Sequence, residues 1–256
     1  MADFIPRFAA RLTIVCVTLA VASGQWINHP NPRIPRTPGG KPNLSAPAPK
    51  LPNGKADFSG IWLVDDNRLQ FNLMLDQGPV AMQPAAAALY KKYLERAGKD
   101  RPATHCLPHS IPDAMLIPEP FKILHTSDIT LILFEEFAEF RQVFTDGRSF
   151  PRDPQPAWFG YSIGRWEGDA FVVESRGFND KSWLDDDGHP HTDALHTTER
   201  FRRSDFGHMT MQITIDDPKA YVKPWSATLH YHLLPDTELI EFICDNEKDV
   251  PHLVGK

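Results

Sequence analysis

The chain has 256 residues, with 27 Lys and Arg against 33 Asp and Glu, so its net charge is −6 with histidine neutral. An acidic balance without any basic run excludes the electrostatic footprint of a nucleic-acid binder. Hydrophobic residues make up 41% of the chain, enough for a packed core, which excludes wholesale disorder.

Arg7 and Arg11 precede an apolar run at 12–22, and the small residues Ser23 and Gly24 follow. As a helix such a run reaches about 16 Å, short of a hydrocarbon core of roughly 30 Å. Residues 1–25 therefore read as a cleaved secretory signal rather than an anchor. The mature chain is expected to be periplasmic or secreted, with no stable membrane span. Loss of the signal removes Cys16 and leaves Cys106 and Cys244. In an oxidising compartment they are expected to form a disulfide; two buried free thiols are the alternative.

Residues 26–56 are rich in Pro, Asn and Gly and should form an extended arm. Within it "PGGKPNLSA" at 38–46 is echoed by "PNGKADFSG" at 52–60. Two copies are too few for a solenoid. One should lie on the surface while the second enters the first strand. Residues 57–256 are expected to form a single domain.

Pro84 at a first helical turn, the good helix formers of "AAAALYKKYLERA" and the stop at Gly98 predict one helix over 84–97. Ala86, Tyr90, Tyr93, Leu94 and Ala97 share its apolar stripe. From residue 119 the pattern is short alternating strands. With "FSGIWLV" at the start and "ELIEFIC" at the end about ten are expected, mostly antiparallel, with Asp146-Gly147 as a turn signal. Such a series implies a barrel or a sandwich. Gly60-Ile61-Trp62 resembles the strand-opening motif of lipocalin-like (calycin) barrels, in which the Trp plugs the closed end. The expected fold is thus a mainly β, antiparallel lipocalin-like barrel with one short helix and an N-terminal arm; a β-sandwich is the alternative.

"GYSIG" at 160–164 fits Gly-x-Ser-x-Gly, but a nucleophile elbow needs a helix after Ser162. Here a hairpin pattern follows, so the glycines are expected to relieve crowding in a strand. The pairs His189/His191 and His230/His232 are each two residues apart, which in extended chain puts both imidazoles on one side. Together they could hold a transition metal such as zinc or copper. An acid–base reading uses the long 176–192 loop, because long irregular loops in compact domains tend to be functional. There His191 would be general acid or base, with Asp193 or Glu199 orienting it and His196 as a second proton carrier. Trp158, Tyr161 and Trp183 are candidate ligand contacts. Glu135 and Arg200 are candidates too, since an acid in an apolar strand face is paired or functional.

From "PEPFKIL" onward the chain resembles a family of exported bacterial proteins of mostly unassigned function. The resemblance rests on "WFGYSIGRWEGD", "GFND", "HPHTDALHTTERFRR", "ITIDDPKAY" and "NEKD". It implies export but carries over no reaction. Three functions follow from the residues. The first is binding of a small apolar or aromatic molecule with acid–base chemistry, as a lyase, isomerase or hydrolase, and no cofactor. The second is metal-dependent chemistry or metal binding at the paired histidines. The third is non-catalytic carriage of a ligand. Nothing in the sequence sets the oligomeric state.

Overall fold

The computed structural model describes residues 29–244. The predicted signal therefore lies outside the described residues. Nine strands form one closed barrel: β1 (Gly60–Val64), β2 (Phe121–His125), β3 (Ile129–Phe134), β4 (Phe140–Phe144), β5 (Tyr161–Glu167), β6 (Ala170–Arg176), β7 (His196–Arg203), β8 (His208–Asp216) and β9 (Trp225–Leu233). Between β1 and β2 lie a single-turn helix, α1 (Arg68–Phe71), and the helix α2 (Pro84–Glu95). The barrel is lipocalin-like, and the sandwich alternative is replaced by ring closure through β1 and β9, with Trp62 opposite Leu233.

An odd number of strands cannot alternate in direction all the way round a closed ring. One neighbouring pair must be parallel, and it is β4–β5, paired only through Val143–Ser162 and Phe144–Ile163. A parallel pair needs a long return connection, which residues 145–160 supply. Asp146-Gly147 does turn the chain, with the Arg148 amide donating to Asp146 at 3.2 Å, but it closes no hairpin. The predicted tenth strand is also absent. Because β9 pairs with β1 the ring has no free edge, and "ELIEFIC" instead runs as an irregular strap.

Alternation along the strands sends Thr197, Glu199, Phe201 and Arg203 inward from β7, with Met209, Met211, Ile213 and Ile215 beside them on β8. At the end where β1 begins, Trp62 is fully buried and donates its indole N–H to the Phe58 carbonyl at 2.9 Å. The Arg203 guanidinium lies 4.8 Å from the Trp62 ring centroid and donates to the Asp57 carbonyl at 2.7 Å. Gly60 must be glycine here: its φ is +147°, and a Cβ would meet Leu233 at 2.4 Å. At the opposite end a buried stretch around Ile111 and Met115 fills the barrel, and the Tyr231 hydroxyl donates to the Met115 carbonyl at 3.2 Å.

Both copies of the arm repeat build the same turn. Thr37 and Leu51 each donate to the carbonyl four residues on, at 2.8 Å, and the bridges Arg36–Pro42 and Lys50–Ala56 are likewise fourteen residues apart. The first copy is held on the barrel by Gly207 donating to the Leu44 carbonyl, the second by Trp166 donating to the Ala56 carbonyl. In α2, Ala86 is buried while Tyr93 packs on Trp183 at 4.5 Å, but Leu94 is exposed. Cys106 and Cys244 form a disulfide.

One buried ion pair crosses the interior. Arg141 on β4 donates two hydrogen bonds of 2.7 Å to Glu199 on β7, and also reaches Ser162 on β5 (3.1 Å) and Ser175 on β6 (2.8 Å). Replacing Arg141 by Met strands a carboxylate in the core. The free energy of unfolding should fall by about 3–5 kcal/mol, read from urea denaturation; an unchanged midpoint would mean that the pair adds nothing.

Candidate functional site

The short β4–β5 pairing leaves a seam in the barrel wall, and a cleft of about 550 Å³ opens along it. Its walls are aromatic: Phe144 and Tyr161 stack at 5.1 Å, and Phe159 stacks on Phe134 at 5.4 Å. Trp158 also lines it, and Phe140, 61% exposed, stands at its mouth. Arg141 and Ser162 form its floor. Ser162 faces the interior and is bonded to Ser175 at 2.8 Å, so "GYSIG" is strand rather than elbow. Its glycines relieve crowding, since a Cβ on Gly164 would meet Phe171 and Val143 at 2.8 Å.

Glu139 lies at the rim of the cleft. It follows a turn in which Phe137 and Ala138 both hold positive φ, 57° and 51°. For residues other than glycine that conformation is strained and persists only where the surroundings enforce it. Here Phe137 is clamped between the His109 ring, stacked at 5.5 Å, and Phe242 of the strap at 5.6 Å. The strap is further fastened by Ile240 donating to the Glu135 carboxylate at 2.9 Å, and by the disulfide.

His109 is buried between two carboxylates, with Nδ1 2.6 Å from Asp113 and Nε2 2.9 Å from Glu136. Burial opposes its charge, but Asp113 and Glu136 outweigh burial and hold its pKa up at about 10. Glu139 shows the opposite balance. Burial raises its pKa to about 7, with His109 pulling it down and Glu136 pushing it up. Among the described residues its carboxylate has no hydrogen-bonding or ionic partner.

The sequence candidates sit as follows. Trp158 and Tyr161 line the seam cleft. Trp183 is buried beneath α2 against Tyr93. Glu135 and Arg200 do not meet: Glu135 accepts from Ile240, and Arg200 pairs with Glu167 at 2.6 Å on the surface. The inward residues of β3 are Thr130, Ile132 and Phe134, so Leu131 and Leu133 lie on the outer face and Glu135 interrupts no core stripe.

Asp193 and His196 line a second cleft of about 530 Å³. Asp193 is paired there with Lys219, which holds its carboxyl below the usual range. His196 is 3.4 Å from Glu174, and burial followed by Arg176 lowers its pKa. His191 is buried away from both. Its Nδ1–H donates to the Thr192 carbonyl at 3.1 Å, and its Nε2 accepts from Ser182 at 2.7 Å. Burial keeps it below the ordinary histidine pKa, hence neutral. The acids expected to orient it are engaged elsewhere, Glu199 with Arg141 and Asp193 with Lys219.

The paired histidines are dispersed as well. His189 bonds Asp185 at 2.6 Å, His232 bonds Asp65 at 2.6 Å, and His230 lies exposed on β9. Among the described residues no three His, Cys, Asp or Glu side chains are disposed to hold a metal. The four histidines of the expected metal set are thus not gathered into one site among the described residues. His189 and His191 lie in an irregular segment where each ring is held by its own neighbour, and His230 and His232 share the outer face of β9, with His232 turned to Asp65.

The sequence reading does not single out His109, Asp113, Glu139 or Arg141. A signal for Arg141 exists, because "FRQVF" places it on the same strand face as Val143. The others are brought together by the strained turn and by the buried stretch around Ile111 and Met115, the cap of this end of the barrel, which no local pattern announces.

The closed, mostly antiparallel ring of nine strands is a lipocalin-like barrel in general. No protein-family model matches the chain, and no curated protein matches it.

The raised pKa of Glu139 has a consequence for stability. Between about pH 4.5 and 7 the unfolded chain has released this proton while the folded chain retains it. That contribution to stability declines as pH rises through the window. Glu139→Gln should flatten the decline, seen by comparing urea midpoints of the two proteins at pH 5 and pH 8.

Proposed function

We propose that this protein binds a small aromatic molecule in the seam cleft. The observation that carries the reading is one carboxyl, without a partner among the described residues, at the rim of an aromatic-walled cleft. Concave, mostly apolar sites with a few convergent polar groups are the usual form of small-molecule sites. The interior supports the same placement, since its centre is occupied by the Arg141–Glu199 pair and its ends by Trp62 and Met115. A set of small aromatic fragments screened by ligand-observed NMR should give hits at this cleft. Trp158→Ala and Phe140→Ala should each weaken them about tenfold, the loss of one well-packed aromatic contact. Hits indifferent to both substitutions would overturn the reading.

A second reading, acid–base turnover of the bound molecule, is favoured by the Glu139 pKa near 7, because proton transfer is most efficient when the pKa lies near the working pH. The turnover rate would then follow the ionisation of Glu139, and Glu139→Gln should lower it by about 10²–10⁴. Retained turnover in that variant would remove Glu139 from the mechanism, and no turnover by the unaltered protein would leave carriage alone.

Export from the cytoplasm belongs to the same proposal. The Cys106–Cys244 disulfide supports an oxidising compartment, as does the resemblance to exported bacterial proteins. Among the described residues no helix is long and apolar enough to cross a membrane.

A further inference from the structure

The charges around the seam cleft are unequally satisfied. Arg141, on its floor, is fully engaged by Glu199, Ser162 and Ser175. Arg148, at its outer edge, is paired with Asp146 at 2.6 Å and donates to the Tyr161 hydroxyl at 3.2 Å. Neither cation is free to meet an anionic ligand. The titratable residues lining the cleft are Glu139, Arg141 and Tyr161. Among the described residues the Glu139 carboxylate is therefore the cleft's one unpaired charge.

The groups around Glu139 add to that sign. Glu136 shares its turn, and Glu119 lies close enough to feel Glu135 and Glu136. The cation facing this set is His109, already held between Asp113 and Glu136. The aromatic wall is also suited to a cation. The Arg148 guanidinium lies 3.9 Å from the Phe144 ring centroid, so one ring of the wall already carries a positive group on its face.

We propose that the seam cleft selects a planar aromatic amine, bound as its ammonium ion with the rings against Trp158 and Phe159 and the charge against the Glu139 carboxylate. This rests on the reading that the cleft binds small aromatic molecules, and it adds the charge of the ligand. An aromatic carboxylate would be repelled by ionised Glu139 and would find both nearby guanidiniums taken. Binding of the ammonium ion displaces the proton that Glu139 holds below neutrality. Affinity should therefore rise about tenfold per pH unit up to about pH 7, and level off above it.

Three probes of one shape separate the outcomes: 1-naphthylmethylamine, 1-naphthalenemethanol and 1-naphthoate, titrated calorimetrically into the full chain between pH 5.5 and 8.5. At pH 8 the amine should bind about ten- to a hundredfold more tightly than the alcohol, and naphthoate more weakly than either. Glu139→Gln should erase the amine's advantage over the alcohol and its pH dependence. If the alcohol or naphthoate matches the amine, or if Glu139→Gln keeps the amine's advantage, the amine proposal is overturned and the aromatic cleft stands. If none of the three binds, the cleft reading falls with it.

Discussion

The pairing of Arg141 with Glu199 is the interaction on which the barrel turns, because it answers a constraint of ring closure. Nine strands in a closed ring require one parallel neighbour pair, and that pair is held by only two residues on each strand. Sheet hydrogen bonding is weakest at this seam. The guanidinium starts on one side of it and reaches across β5 and β6 to β7, tying four consecutive strands through side chains. Burying two charges is costly and is compensated only by near-complete hydrogen bonding. The bidentate geometry and the two serine hydroxyls supply that compensation. Ser162, Ser175 and Glu199 are thus polar residues at inward positions with a shared reason to be there.

The seam also positions the candidate site. Elsewhere antiparallel ladders close the wall, longest along β7, β8 and β9, and the interior is filled by aromatic and aliphatic side chains. Where β4 and β5 diverge, the wall opens into a cleft lined with aromatics. The strained 136–138 turn sets Glu139 at its rim, and the His109 cluster backs that turn from the cap. The disulfide belongs to the same arrangement. It fastens the strap that carries Phe242 onto Phe137, and Cys106 is three residues from His109. Covalent constraint, backbone strain and an unsatisfied carboxyl therefore converge on one corner of the barrel.

Much of the architecture was legible in local pattern. Alternation marked eight of the strands from residue 119 onward, Gly60-Ile61-Trp62 marked the opening strand, and helix propensity marked α2. The arm echo was legible too, because a turn needing positive φ at Gly40 and Gly54 writes its requirement directly into the sequence. The strand-like run at 238–244 misleads because whether a strand forms depends on a free edge, and edges belong to the whole sheet. The spacing of His189 and His191 is uninformative for a similar reason. Spacing sets which way two side chains point only when the backbone is extended, and the 177–195 segment folds each imidazole onto its own partner.

By itself, then, the sequence determined the fold class, the helix, the twin turns of the arm and the residues available for a disulfide. Each rests on interactions between near neighbours in the chain or on a residue's intrinsic conformational range. Tertiary structure alone decided which pair runs parallel, which acid meets which base, and which carboxyl is left without a partner. Arg141 and Glu199 are 58 residues apart, and His109 and Glu136 come together only across the cap. The charge state of Glu139 depends on how much water the folded chain excludes from it. Burial and long-range pairing are properties of the closed barrel, so the chemistry of the cleft appears only once the ring is complete.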